Sequence, residues 1–180
     1  MAIGVLVPLA AEFEELEAAA PIDLLRRAGG EVVVASLADD RWVMGRSGLR
    51  WEADQTLAAA LGRNYDCVFL PGGPGVKHLR ADPRLVPLLR EQDRRGGWIA
   101  AICAAPAVLQ DAGLLEGRRF TAHFSVAAEL PERLADERTV VDGRLLTGRG
   151  AGVAIDFGLL MVAQLFSPAK AAEIGRAISA

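Results

Sequence analysis

Ala2-Ile-Gly-Val-Leu-Val-Pro-Leu-Ala-Ala-Glu-Phe-Glu-Glu-Leu-Glu-Ala-Ala-Ala-Pro-Ile-Asp-Leu-Leu-Arg-Arg-Ala-Gly-Gly-Glu-Val-Val-Val-Ala-Ser-Leu37 is the stretch that decides the fold. Ala2 to Val7 is a short apolar run ending at Pro8, with the continuous hydrophobicity of a strand buried on both faces. Glu14 to Ala28 reads as a helix closed by Gly29-Gly30. Pro21 falls inside it, lacks an N–H, frees the Glu17 carbonyl and favours a kink. Glu31 to Leu37 is a second β-branched run. Strand, helix and strand in this order are the unit of a parallel sheet.

The pattern continues along the chain. Asp66 to Leu70 predicts a strand that runs into Pro71-Gly72-Gly73-Pro74-Gly75. Pro83 to Arg95 predicts an amphipathic helix, Trp98 to Ile102 a strand, and Ala105 to Ala112 a helix. Phe120 to Ala122 reads as a short strand ending at His123. Thr139–Val141 and Leu145–Thr147 flank Asp142-Gly143, the signal of a two-residue hairpin. Gly148 to Gly152 opens a helix reaching Leu165, and a last helix starts near Pro168. Arg41 to Asp54, with Gly45 and Gly48, reads as a small hairpin. The expectation is one α/β domain over residues 1–180, with a mostly parallel central sheet and helices on both faces.

Composition limits the function. The chain has 180 residues, 52% hydrophobic and 24% charged, which suffices for a substantial core and excludes intrinsic disorder. A net charge of −3 gives no global basic footprint for nucleic acid. The longest apolar stretch, Val153 to Phe166, contains Asp156 and Gln164 and falls short of the ~20 residues of a membrane span. Two cysteines and two histidines are too few for a zinc ribbon or a disulfide framework. The N-terminus lacks the basic region of a signal peptide, so the expected setting is cytoplasmic, with reduced thiols.

In open α/β sheets, sites lie beyond the carboxyl ends of the strands. Cys103 is the sharpest residue there. Trp98-Ile-Ala-Ala-Ile-Cys-Ala-Ala-Pro106 is strand, cysteine, then a helix with proline in its first turn. A thiol so placed faces unpaired N–H groups, which favour thiolate, although buried cysteine is also a common core residue. Cys67, mid-strand, reads as core. Glu14, Glu15 and Glu17 open the first helix, where acidic residues are favoured by the dipole. Glu17 differs, because Leu16 and Ala20 beside it should face the sheet. A carboxyl turned inward is raised in pKa and can shuttle a proton. His123 is a rim histidine and a candidate general base; His78 reads as surface. The loop Gly72-Gly73 and the N–H of Ala104 are candidates for an oxyanion hole. Gly148 to Gly152 lacks dinucleotide-binding spacing and reads as a turn lining a pocket, with Gly150 in its wall.

These residues carry a resemblance. Glu14-Glu-Leu-Glu17 with Pro21-Ile-Asp23-Leu-Leu-Arg26-Arg27-Ala-Gly29, then Leu70-Pro-Gly-Gly73, Ala100-Ala-Ile-Cys-Ala-Ala-Pro106, Thr121-Ala-His123 and Leu146-Thr-Gly-Arg-Gly-Ala-Gly152 occur in order over nearly the whole chain. The sequence resembles the ThiJ/PfpI superfamily, in the branch of the Parkinsonism-associated deglycase and its bacterial homologues. The resemblance implies a flavodoxin-like sandwich and a homodimer. It implies Cys103 as an oxidisable nucleophile, Glu17 as the carboxyl that hydrogen-bonds it, His123 as the pocket histidine, and Arg27 near an interface and the site. It implies a cofactor-independent, metal-free enzyme for small α-oxoaldehydes, a glyoxalase or a deglycase of early adducts on proteins or nucleotides. The alternative is a redox sensor or chaperone using the same cysteine. A peptidase is disfavoured, because Ala104 stands where that branch has histidine. Ala105, where many members have glycine, narrows the pocket in this reading, and Phe124-Ser125 replaces a proline after the histidine. Residues 44–54 match poorly, and nothing is carried over there.

Overall fold

The computed structural model describes residues 2–180. Strand β1 (Gly4–Leu9) leads into helix α1 (Glu15–Arg27) and strand β2 (Glu31–Ser36). Gly29 takes φ +89°, and the Gly30 N–H closes on the Leu25 carbonyl at 2.9 Å, ending the helix as the glycine pair predicts. The helix is continuous through Pro21. β3 (Trp42–Met44) and β4 (Arg50–Glu52) form a separate antiparallel hairpin. β5 (Gln55–Thr56) and α2 (Leu57–Ala60) follow, then β6 (Cys67–Leu70), α3 (Val76–Ala81), α4 (Leu85–Arg94), β7 (Trp98–Ile102) and α5 (Pro106–Asp111). The chain closes with β8 (Thr139–Asp142), β9 (Leu145–Gly148), α6 (Ala154–Leu165) and α7 (Pro168–Ala177).

The seven-stranded sheet has the order β5-β2-β1-β6-β7-β9-β8 and is parallel except for the β8–β9 hairpin. It is a flavodoxin-like α/β sandwich. Alternate residues of each central strand serve opposite faces. Leu6, Val68, Leu70, Ile99 and Ala101 join the core beneath α2 to α5. Val5, Val7, Phe69, Ala100 and Ile102 join the core beneath α1, α6 and α7. This two-sided burial is why these strands read as continuous apolar runs. Phe69 and Phe157, both fully buried, meet at 6.0 Å between ring centroids, and burying each contributes about 2–3 kcal/mol.

One expected strand is absent. Phe120 to Ala122 forms no ladder. Its backbone is held by side chains instead: the Thr121 N–H donates to Thr147 Oγ1 at 2.9 Å, and Thr121 Oγ1 donates to the carbonyls of Leu134 and Glu137. The apolar triplet is buried, and burial alone produced the strand-like signal. The region 55–60, unassigned from sequence, supplies the edge strand β5 and the one-turn helix α2.

The topology reverses between β1 and β6: the chain builds outward from β1 through β2 and β5, then returns on the other side. The loops leaving β1 and β6 meet there, the Glu14 N–H donating to the Gly72 carbonyl at 3.0 Å and the Gly75 N–H to the Glu12 carbonyl at 2.9 Å, and together they border a crevice at the carboxyl end of the sheet. Behind it, α1 and α6 approach closely at Gly158. A Cβ there would lie 2.7 Å from Leu24 Cδ1 and 3.0 Å from Pro21 Cα. Gly158→Ala should lower stability by about 1–3 kcal/mol through overpacking, seen as a fall in thermal midpoint. Gly62→Ala, where a Cβ meets nothing within 4 Å, should leave the midpoint near wild type.

Candidate active site at the carboxyl end of the sheet

Cys103 follows β7 directly and holds φ +65°, a left-handed conformation that a non-glycine residue adopts at a cost. Backbone bonds enforce it. The Cys103 N–H donates to the Gly148 carbonyl at 2.8 Å, and the Cys103 carbonyl accepts the His123 N–H at 2.8 Å. The strand must end and turn at once, so the thiol is presented at the rim rather than in the sheet. Cys67, by contrast, is wholly buried in β6, and burial pushes its thiol pKa up.

Glu17 sits in the first turn of α1, capped by Glu14, whose carboxylate accepts the Glu17 N–H at 3.0 Å. The Glu17 side chain is turned into the protein and is 1% exposed. Its Oε2 accepts the Gly72 N–H at 3.0 Å, while Oε1 finds no hydrogen-bond partner among the described residues. Gly72 is the spacer: a Cβ there would fall 2.5 Å from Glu17 Oε2 and 2.6 Å from Cys103 Cβ. Only glycine lets thiol, carboxyl and loop converge.

Burial raises the Glu17 carboxyl to about 7, opposed by the adjacent Cys103 thiol. Burial and the adjacent Glu17 charge push the Cys103 thiol up to about 12, opposed by the N–H groups of Gly73 and Ala104. This corrects the expectation of a thiol lowered by a helix N-terminus. α5 begins only at Pro106, and burial, with the carboxylate beside the sulfur, outweighs the two N–H groups. The shifts describe one proton held between two groups. With the proton on Glu17, the adverse charge is gone and the carboxyl becomes a donor to thiolate.

The oxyanion candidates divide. Gly73, at φ +94°, and Ala104 direct N–H groups at the sulfur. The Gly72 N–H is occupied by Glu17, so Gly72 is removed from that set. His123 is at the site, as expected. Its Nδ1 accepts the Ser125 N–H at 3.2 Å and lies 2.9 Å from Ser125 Oγ. That network assigns the ring hydrogen to Nε2. Burial lowers the His123 pKa, favouring the neutral ring. Ser125 therefore orients the ring, and neutral His123 offers Nε2–H as a donor. Gly150 lies beside it: a Cβ would be 3.3 Å from His123 Cδ2 and 3.9 Å from Glu17 Oε1.

Arg27 is not in this site. It pairs with Asp23 at 2.6 Å at the exposed far end of α1, ten residues and about 15 Å along the helix from Glu17. Ala105 is fully buried beneath the sheet and does not line the cavity at Cys103, so it does not narrow it. That cavity, about 380 Å³, is walled by Cys103, Ala104, Gly73, His123 and Arg46 among others. Arg46 was missed, since the hairpin carries no spacing signal. Its position comes from the Arg46 N–H bond to the Phe13 carbonyl at 2.9 Å and from Glu15, whose Oε1 accepts the Ser47 N–H at 2.7 Å. His78 is half-exposed beside Glu12, as expected.

A flavodoxin-like sandwich with a strained cysteine at the carboxyl end of β7 and a buried carboxyl against it defines a cysteine-site α/β class. The profile of the DJ-1/PfpI family matches residues 4–164, and the chain belongs to that family. It is 38% identical to the protein dj-1beta of Drosophila melanogaster over 182 residues, covering 99% of this chain and 97% of that protein. It is 34% identical to the glutathione-independent glyoxalase DJR-1.2 of Caenorhabditis elegans, covering 87% and 85%. It spans only 40% and 45% of the Arabidopsis thaliana DJ-1 homologues B and A. The structure of oxidised Toxoplasma gondii DJ-1 superposes with TM-score 0.94 at 38% identity, covering 98% of each chain.

The raised Glu17 pKa sets a sign for stability. Folding disfavours the charged form, so stability intact below about pH 4.5 is lost as pH rises through about 7. Glu17→Gln removes that loss. Denaturant unfolding at pH 5 and pH 9 should show the variant gaining on wild type by on the order of 2–3 kcal/mol at the higher pH.

Proposed function

We propose that the chain, acting as one domain, is a cofactor-independent cysteine enzyme for small α-oxoaldehydes, converting methylglyoxal to lactate, or for their early adducts on proteins and nucleotides. The observation that carries this reading is Cys103, strained at φ +65°, with the buried Glu17 carboxyl and the Gly73 and Ala104 N–H groups facing its sulfur. The name of the C. elegans relative supports it.

In this mechanism the thiol proton passes to Glu17, and the sulfur attacks the aldehyde carbon to give a hemithioacetal. Gly73 and Ala104 stabilise the developing oxyanion. Glu17 passes the thiol proton on to that oxyanion, and the regenerated carboxylate takes the proton from the former aldehyde carbon and returns it to the neighbouring carbon. His123 donates its Nε2 proton to the oxygen there and recovers one from the hemithioacetal hydroxyl as the thioester carbonyl forms. The resulting thioester is hydrolysed by water, releasing a 2-hydroxy acid and restoring the thiol. The balance is one aldehyde plus one water to one acid, with no external oxidant. The proposed setting is a cytoplasmic homodimer, with Arg27 available to a dimer contact.

A second reading is an oxidation sensor. Two observations favour it: Glu17 Oε1 is buried without a partner, and the T. gondii relative is described in an oxidised state. An oxygen added to Cys103 could then be met by the protonated carboxyl.

Methylglyoxal consumption with lactate detection, without glutathione or metal, separates the readings. Wild type should turn over many times, and Cys103→Ser should lose at least ~10³-fold of that rate. Stoichiometric consumption without lactate would sink the glyoxalase reading and leave the oxidation sensor. Deglycation would need its own assay.

A further inference from the structure

A second cavity, about 500 Å³, opens on the other side of His123. His123 lines both this cavity and the one at Cys103, so the two share a wall. Three arginines line it, Arg133, Arg138 and Arg149, and no carboxylate does. Elsewhere on the surface several arginines are matched by an acid. Arg138 is matched, to Asp156. Among the described residues, Arg133 and Arg149 have no carboxylate within ion-pair distance. The Arg133 Nε is buried without a hydrogen-bond partner. Arg149 reaches only the carbonyls of Ala135 and Asp136, at 3.4 and 3.5 Å.

A buried guanidinium nitrogen without an acceptor is costly and calls for one. Arg149 sits directly before Gly150, where a Cβ would lie 3.3 Å from His123 Cδ2 and 3.9 Å from Glu17 Oε1, so this cavity adjoins the Cys103 site. The volume suits something larger than a three-carbon aldehyde. Planar guanidinium forks match carboxylate and phosphate oxygens.

We infer that this arginine-lined cavity is a subsite for the anionic group of the substrate, so that the enzyme acts on α-oxoaldehydes carrying a phosphate or a carboxylate. The inference rests on the proposed aldehyde chemistry at Cys103 and names the substrate class for it. Arg133 and Arg149 hold the anion and Arg138 flanks it. The aldehyde end passes His123 to reach the sulfur.

The test compares kcat/KM for methylglyoxal, for 4,5-dioxopentanoate and for hydroxypyruvaldehyde phosphate. Wild type should prefer a charged aldehyde over the neutral one, and which of the two leads identifies carboxylate or phosphate as the group bound. Arg133→Gln and Arg149→Gln should each reduce that preference about tenfold, the loss of one charge-assisted hydrogen bond. Arg144→Gln, at the opposite end of the sheet, should not change it. No preference in wild type, or one that survives both variants, would overturn the inference while leaving the aldehyde chemistry standing. If wild type turns over no aldehyde, the proposed function fails, and calorimetric titration with inorganic phosphate decides the cavity. Saturable binding lost in both variants keeps an anion site. No binding, or binding unchanged in the variants, overturns it.

Discussion

A carboxyl and a thiol are buried against each other with room for one glycine between them. That constraint organises the carboxyl end of the sheet. Glu17 is nearly inaccessible, raised by burial to about 7, and tied to the Gly72 N–H. Neither Glu17 nor Cys103 can ionise without reference to the other, because the medium between them screens poorly. The loop 71–75 must approach α1 closely to permit this, and a Cβ at Gly72, Gly73 or Gly75 would strike it or its leading residues. The glycines after β6 therefore serve proximity rather than phosphate binding.

The supporting structure explains how such a costly pairing persists. Cys103 is clamped by backbone bonds from two directions, Gly148 and His123. The His123 segment is clamped in turn by Thr121 and Thr147, both fully buried. Glu15 anchors the β3–β4 hairpin through Ser47, which brings Arg46 to the pocket rim. Each clamp is a hydrogen bond to a buried group, and breaking one leaves an unsatisfied partner. The strain at Cys103 is thus held by bonds to two other segments, 147–148 and 121–123, which are themselves bonded to each other.

Much of this was legible in the residues. The alternating strands and helices, the glycine stop of α1, the Asp142-Gly143 hairpin and the cysteine after β7 follow from local rules: period, capping, turn chemistry. Glu17 turns inward as expected, but not because Leu16 and Ala20 face the sheet: Leu16 is 61% exposed, and Ala18, Pro21, Ile22 and Leu25 carry the inward face of α1 beside Glu17. What misled was burial without a ladder. Phe120 to Ala122 is as apolar as a strand, yet its partners are threonine side chains and carbonyls far along the chain. The thiol pKa misled for a similar reason. A helix start is visible in sequence, whereas the distance to a carboxylate 86 positions earlier is not.

The sequence by itself determined the layered α/β architecture, the two-faced core and the presence of a cysteine at a strand-to-helix turn, since each depends on neighbours within a few residues. The tertiary structure alone decided which N–H groups face the sulfur, which nitrogen of His123 carries hydrogen, that Arg27 lies away from the site, and that Arg46 lies in it. These depend on approaches between segments tens of residues apart, set by the strand order and by where a Cβ can fit. Charge balance was decided at the same level. A net charge of −3 is a property of the chain, but the gathering of Arg133, Arg138 and Arg149 around one cavity is a property of the fold.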